Sequence, residues 1–312
     1  MSTDPVQMVK ELLLQAGAGE RSLAALHGYE FVRELGRGGM GAVCLVRHSS
    51  RGEMAALKIM LPDIETDEHA RTTFLREVEN TRALNHPNVV RFFASGSSGN
   101  VFFFTMEYCD GGSVQGLMKQ MGGRLARNET GAIILQVLDG LIYAHSADIP
   151  HVLLADGSSR PGKGLVHRDI KPLNVFLSGS GAVAKLGDYG LSKAFGLAGL
   201  TGHTEPRTVA GSPPFMPRQQ LDNYRFAKPE VDVWAVAASC YCMLTGRAPR
   251  DFPADEDPWD VVWQRDPVPI RRREPSIPAP LADLLDLALD DRSDLHFQSA
   301  AEFKQALQSV LA

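Results

Sequence analysis

The sequence predicts an α+β protein of two unequal lobes, a small antiparallel sheet with one main helix followed by a larger, mostly helical lobe. Two observations carry that prediction. Between Tyr29 and Tyr108 short β-type runs alternate with glycine or polar turns, whereas beyond Gly111-Gly112 apolar residues recur at helical spacing. The 312 residues are enough for two modest lobes, each with a real core. Hydrophobic residues at 44% and charged residues at 22% set the chain among soluble globular proteins and away from disordered ones.

Residues 1–26 read as a helical extension. Asp4 is an N-cap, Pro5 suits the first helical position, Gly17 supplies the stop, and Val6, Val9 and Leu13 form an apolar stripe over 3–17. Residues 27–107 form the small lobe. Its predicted strands are Phe31–Leu35, Val43–Arg47, Ala55–Met60, Val89–Ser95 and Val101–Glu107, with a helix from His69 to Leu84 between the third and fourth. Residues 108–312 form the large lobe. Asn128–Ser146 presents a broad apolar face, Val231–Leu244 is apolar nearly all round as a central helix must be, and Leu281–Leu289 and Ser299–Leu311 close the chain. Proline-rich stretches at 206–217 and 267–280 mark extended connections.

Charge and cysteine content narrow the function. A net charge of −5 offers no positive field to recruit nucleic acid, and the Arg271–Arg273 run is closed at once by Glu274. Cys44, Cys109, Cys240 and Cys242 are scattered; the last two, two residues apart on a helix, point in different directions and make a poor metal pair. Free thiols in a reducing compartment are expected. The N-terminal residues lack a secretory pattern, and the longest apolar stretch, Val231–Leu244, is short for a bilayer and holds Asp232, so a cytoplasmic protein with no membrane segment is expected.

The chemistry-bearing residues come in order along the chain. Gly36-Arg37-Gly38-Gly39-Met40-Gly41-Ala42-Val43 lies between two strand-like runs, where glycines let backbone N–H groups approach phosphates. A plain glycine-rich hairpin would look the same, but a dinucleotide fingerprint is excluded because a strand, not a helix, follows. Ala55-Ala56-Leu57-Lys58 then sets a lysine in an apolar strand. Unless it faces solvent at an edge, it needs an anion, and Glu77 on the following helix is one.

Further along stand His167-Arg168-Asp169-Ile170-Lys171-Pro172-Leu173-Asn174 and then Asp188-Tyr189-Gly190. With the glycine run and Ala55–Lys58, these motifs resemble, in order and spacing, those of the bacterial Hanks-type (eukaryotic-like) serine/threonine protein kinases. The resemblance covers about residues 29–311 and implies the protein-kinase-like fold. It further implies transfer of the γ-phosphoryl of ATP to serine or threonine hydroxyls of protein substrates, with Mg²⁺ as cofactor and Mn²⁺ able to substitute.

By the same resemblance Asp169 orients the substrate hydroxyl and takes its proton, and Lys171 neutralises charge on the phosphoryl in transfer. Asn174 and Asp188 hold the metal, Lys58 grips the α- and β-phosphates, and Glu77 holds Lys58. The backbone around Gly36, Gly38, Gly39 and Gly41 covers the phosphates. Adenine is expected against Val43, Ala56 and Phe176, with hinge hydrogen bonds from Glu107 to Cys109 and Met106 at the back of the pocket. Lys171-Pro172 and Gly211-Ser212-Pro213 match the serine/threonine pattern, with Ser212 positioning substrate. Activation through autophosphorylation at Thr204 or Thr208 is expected, and a homodimer would serve it in trans.

Three departures from the family pattern stand out. Tyr189 replaces the usual phenylalanine, adding a hydroxyl that wants a partner. Pro217-Arg218-Gln219 replaces Ala-Pro-Glu, and His296 occupies the position of the arginine that normally pairs with that glutamate, so a neutral Gln219–His296 hydrogen bond is expected. The connection from His145 to His167 is longer than the family's by about fifteen residues, expected as a surface insertion with Asp156-Gly157 at a hairpin turn. The first two departures keep open an alternative, a pseudokinase serving as an ATP-binding or scaffolding module.

Overall fold

The computed structural model describes residues 4–38, 41–61, 72, 76, 78–99, 101–153, 158–179, 181–189, 212–222 and 227–311. The chain divides into two units. One comprises the described parts of Met1–Asn85 and Val90–Tyr108; the other comprises those of His86–Val89, Cys109–Lys193 and Val209–Ala312.

The first unit is built on a five-stranded antiparallel sheet of β1 (Tyr29–Gly38), β2 (Gly41–His48), β3 (Met54–Met60), β4 (Phe92–Ser98) and β5 (Val101–Glu107), in the order β1-β2-β3-β5-β4. The fourth strand starts later than the sequence pattern suggests. Val89 belongs to the second unit, where it forms an isolated parallel bridge to Leu186, and the ladder of β4 with β5 begins only at Phe92. Residues 78–82 are helical, within the expected helix. The N-terminal helix α1 (Pro5–Gly17) is capped by Asp4, whose carboxylate accepts from Val6 N at 3.4 Å. Its buried Val6, Val9, Leu12, Leu13 and Ala16 share one core cluster with Leu23, Leu26, Cys44, Val46, Leu57 and Phe103, so this extension is part of the unit's core.

One glycine in the β1–β2 turn is required by the backbone. Gly41 has φ of +143°, and a Cβ there would sit 2.1 Å from the Ile59 carbonyl oxygen on β3. Among the described residues, a Cβ added at Gly36 or Gly38 would meet nothing within 4 Å, so these neighbours do not demand glycine at either.

The second unit is mostly helical. At its centre lies the helix Glu230–Thr245, buried along nearly its whole length and ended by Gly246 in the left-handed conformation at φ 72°. The helices Arg127–Ala144, Ala279–Leu289 and Ala300–Leu311 pack on it. Trp234 Nε1 donates to Leu289 O at 3.0 Å and Tyr241 Oη to Val268 O at 2.9 Å, so the two large polar aromatics of the central helix are both satisfied. A small sheet in the order β10-β9-β6 joins β6 (Gly112–Ser113), β9 (Val175–Ser178) and β10 (Val183–Leu186). The long connection after His145 folds as an antiparallel hairpin of β7 (Asp148–Leu153) and β8 (Ser159–Lys163); the Asp156-Gly157 turn lies outside the described residues. Among the described residues, no helix is long and apolar enough to cross a membrane.

Candidate active site

In the second unit the candidate residues are brought together by a loop held from behind by one carboxylate. Asp232 sits in the first turn of the central helix with its side chain wholly buried. Its Oδ2 accepts from His167 N at 2.7 Å and bonds His145 Nε2 at 2.8 Å, while Oδ1 accepts from Arg168 N at 2.7 Å. Burial alone would raise the pKa of this carboxyl. The His145 hydrogen bond, the nearby imidazoles and the Arg168 N–H outweigh it and hold the group below the ordinary aspartate value. His167 is buried, and its Nε2 bonds Gly187 O at 2.9 Å while its Nδ1 accepts from Asp169 N at 3.3 Å. The proton is therefore on Nε2. Its ring packs on Tyr189 with centroids 4.4 Å apart. Tyr189 is itself buried, and that burial drives its phenol pKa well upward.

Asp169 follows directly. Its Oδ2 accepts from Lys171 Nζ at 2.8 Å and from Asn174 Nδ2 at 3.0 Å. Asn174 Nδ2 also donates to Asp169 O at 2.8 Å, and Lys171 Nζ reaches Ser212 Oγ at 2.6 Å. The other carboxylate oxygen, Asp169 Oδ1, is buried and has no hydrogen-bond partner among the described residues. A carboxylate oxygen placed this way can accept a hydrogen bond from an incoming donor. Gly187 N donates to Asn174 O at 2.9 Å, which brings the chain entering Asp188 alongside Asn174. Arg168 and Asp188, at φ 68° and 57°, are the only non-glycine residues with positive φ among those described, and both lie in this site.

The fit to a divalent cation follows from the donor set. Asn174 turns its amide nitrogen to Asp169, leaving the Oδ1 carbonyl, and Asp188 adds a carboxylate. Both are the hard oxygen donors that Mg²⁺ takes.

In the first unit, strand register sets the candidates on one sheet face. Val43, Lys58 and Phe104 are directly opposed across β2, β3 and β5, and Leu45, Ala56 and Met106 form the next row but one. Lys58 Nζ lies 5.8 Å from the Phe104 ring centroid. Glu107 is anchored at the end of β5 by Arg91, whose backbone O accepts from Glu107 N at 2.8 Å and whose N donates to Glu107 Oε2 at 3.2 Å. Gly36 opposes Val43 and Gly38 opposes Gly41 in the β1–β2 ladder. Cys109 and Phe176 belong to the second unit, Phe176 on β9 opposite Ser113 and Lys185. Gly39, Glu77, Thr204 and Thr208 lie outside the described residues.

One expectation is overturned. Gln219 does not bond His296. Gln219 Nε2 donates to Asp291 O at 3.1 Å and to Ser293 O, and the His296 ring stands edge-on against Phe297. Beside Gln219 lies a buried ionic cluster of other residues. Asp291 is fully buried and receives Arg218 Nη1 at 2.8 Å, Arg218 N at 3.0 Å and Arg250 Nη2. Matching positions one for one missed this because the cation is one residue from Gln219 and the anion five from His296. Asp232, His145 and Gln220 were also missed as functional; an acidic residue inside an otherwise apolar helix was the available signal for Asp232.

The family model for the protein kinase domain matches residues 29–265, and the chain belongs to that family. Among its relatives, serine/threonine-protein kinase SRK2C of Arabidopsis thaliana is 31% identical over 228 residues, covering 73% of this chain and 59% of the relative. Serine/threonine-protein kinase PknB of Mycobacterium leprae is 29% identical across 90% of this chain and 43% of its own length. Pkn1 of Myxococcus xanthus is 30% identical across 91% and 38%. The chain thus spans less than two thirds of each of these proteins. The crystal structure of a doubly substituted Mycobacterium tuberculosis PknI kinase domain superposes with a TM-score of 0.68 at 26% identity, covering 91% of this chain and 96% of that one. The bacterial Hanks-type resemblance and the two-lobed kinase fold are both borne out.

Proposed function

We propose that this chain is a serine/threonine protein kinase that transfers the γ-phosphoryl of ATP to hydroxyls of protein substrates. The observation that carries the reading is the Asp169 carboxylate: one oxygen is gripped by Lys171 and Asn174, and the other is buried with no partner among the described residues. A substrate hydroxyl is a hydrogen-bond donor, and Asp169 Oδ1 would orient it and take its proton. Lys171 Nζ, already between Asp169 and Ser212, would neutralise negative charge beside the transferring group while Ser212 positions the acceptor. Asn174 and Asp188 would hold Mg²⁺, or Mn²⁺ in its place, which supplies charge neutralisation on the phosphates. Lys58 would bind the α- and β-phosphates with Glu77 as its partner. Gly36, Gly38, Gly39 and Gly41 would cover the phosphates, and Val43, Ala56, Met106, Glu107, Cys109 and Phe176 would contact adenine. Autophosphorylation at Thr204 or Thr208, in trans within a homodimer, rests on the sequence alone.

The test is transfer of radiolabelled γ-phosphate to a generic protein acceptor by the wild-type chain and by Asp169→Asn, followed by mass-spectrometric mapping of modified residues. Label on serine and threonine from the wild type only is the expected result. Equal background from both leaves the pseudokinase reading standing instead.

A further inference from the structure

Among the described residues, side-chain hydrogen bonds join the catalytic loop to the segment beginning at Ser212 through Lys171 and through Gln220, and the reaction accounts for the first. Lys171 meets Ser212. On the other side of Asp169, the buried Gln220 donates from Nε2 to the carbonyl oxygen of Arg168 at 2.8 Å. Gln220 lies on the one-turn helix Arg218–Asp222, whose own position is fixed by Arg218 on Asp291.

Arg168 is an unusual residue to hold. Its φ of 68° puts a β-carbon-bearing residue in the left-handed region, which a loop keeps only if its neighbours leave no alternative. Its N–H is held by Asp232 Oδ1 at 2.7 Å and its C=O by Gln220. These two bonds grip the Arg168 residue from opposite ends. The carbonyl belongs to the peptide that leads directly into Asp169, so rotation of that peptide swings the Asp169 carboxylate away from Lys171 and Asn174. Without Gln220 the same peptide keeps the longer bond from Asp169 N to His167 Nδ1, at 3.3 Å, and loses the 2.8 Å hold on its carbonyl oxygen.

We infer that Gln220 is a positioning residue for phosphoryl transfer: its side-chain amide holds the Arg168 carbonyl and thereby sets the direction of the Asp169 carboxylate. The role rests on the kinase reading and extends it to a side chain that touches neither nucleotide nor acceptor. It makes two demands on position 220, a hydrogen-bond donor and the length of glutamine, whereas a residue that only filled space would demand shape alone.

Two substitutions separate these. Gln220→Met keeps length and packing and removes the donor. The expected result is a kcat lower by about tenfold to a hundredfold, the loss typical of a misdirected catalytic group, with KM for ATP unchanged within about twofold and the melting temperature near that of wild type. Gln220→Glu keeps the shape and donates only when protonated, so its kcat relative to wild type at the same pH should rise as pH is lowered from about 8 to about 6, burial having raised the carboxyl's pKa. Should Gln220→Met fail to fold, that pH ratio decides. A Gln220→Met enzyme with wild-type kcat, or a Gln220→Glu ratio flat with pH, overturns the inference while kinase activity stands. A wild-type chain that transfers no phosphate overturns the kinase reading and this inference with it.

Discussion

Asp291 is the residue whose loss should cost the fold most. Its side chain is fully buried and lies between two guanidinium groups, Arg250, 1% exposed, and Arg218, 13% exposed. Arg218 has other support: Asp266 at 3.0 Å and the carbonyls of Trp263 and Arg265 at 3.0 and 2.8 Å. Among the described residues, Arg250 has only the Arg265 and Met216 carbonyls besides Asp291, with its guanidinium 5.1 Å from the Trp234 ring. Burial pulls the Arg250 pKa down against the opposing pull of Asp291 and, more weakly, of Asp266, so this cation depends mainly on Asp291. At the 2.8 Å separation of the Arg218 contact, the gross attraction is about 6 kcal/mol for an effective dielectric near 20. Desolvation offsets much of it in the intact cluster. Asp291→Ala removes the attraction and keeps the desolvation, so a loss of about 3–5 kcal/mol is expected, a large share of the 5–15 kcal/mol typical of a domain. Arg250→Met should cost less, because Asp291 keeps Arg218. The double variant should be more stable than the sum of the single losses predicts, since removing both charges strands neither. Urea unfolding followed by tryptophan fluorescence, with Trp234 beside the cluster, gives every leg of the cycle. Single losses that add to the double within about 0.5 kcal/mol would refute the reasoning.

The glycines of the β1–β2 turn should separate by role: Gly41→Ala lowers stability by forcing a clash with Ile59 O, whereas Gly36→Ala and Gly38→Ala leave the melting temperature unchanged and raise KM for ATP. Melting curves alongside ATP kinetics check this, and equal effects on stability at all these positions would contradict it. The folded-state pKa of Asp232 is depressed, so its stabilisation is fully present above the unfolded value near 3.9 and is lost as pH falls through the folded one. The stability gap between wild type and Asp232→Asn should accordingly hold from pH 7 to about 4 and shrink below that, as followed by acid titration of ellipticity. Leu12→Ala, at a 5% exposed position in the core shared by α1 and the sheet, should cost about 2–5 kcal/mol in denaturant unfolding; a loss near zero would mean that α1 is not part of that core in solution.

Much of this was legible in the sequence, and what was not has identifiable physical reasons. Strand β5 and the central helix are readable to within a residue or so, because their apolar runs end at strong punctuation: Gly111-Gly112 shortly after one, Gly246 after the other. The start of β4 was misplaced because Val89 is apolar for a bridge to Leu186 and not for the ladder. The motif residues Asp169, Lys171 and Asn174 fall into one hydrogen-bonded group because they sit within five positions of one another. Of the residues behind them, Asp232 stands out as an acid in an apolar helix, but the pairings could not be read. His145 and Asp232 are 87 positions apart, and Gln220 and Arg168 are 52 apart; no periodicity links positions that meet only once the chain has folded. The pairing of Gln219 with His296 failed for a different reason. Position-by-position comparison assumes that an ion pair keeps its two places in the chain, whereas the buried site needs only opposite charges in van der Waals reach, and Arg218 and Asp291 supply them from neighbouring positions.

The short helix Arg218–Asp222 connects these two regions. At its start Arg218 is bound into the buried cluster with Asp291 and Arg250; two residues on, Gln220 holds the Arg168 carbonyl behind the candidate catalytic aspartate. A one-turn helix has too few internal hydrogen bonds to hold its own position, so it takes its place from what its side chains grip. Loss of Asp291 removes the bonds to Arg218 N and Arg218 Nη1 while those of Arg218 to Asp266, Trp263 O and Arg265 O remain, so it should loosen the helix in part and let Gln220 shift. At temperatures where Asp291→Ala is still folded, its kcat should fall in the same sense as that of Gln220→Met, and combining the two substitutions should lower kcat by less than the product of the separate effects, because both disturb the same Arg168 peptide.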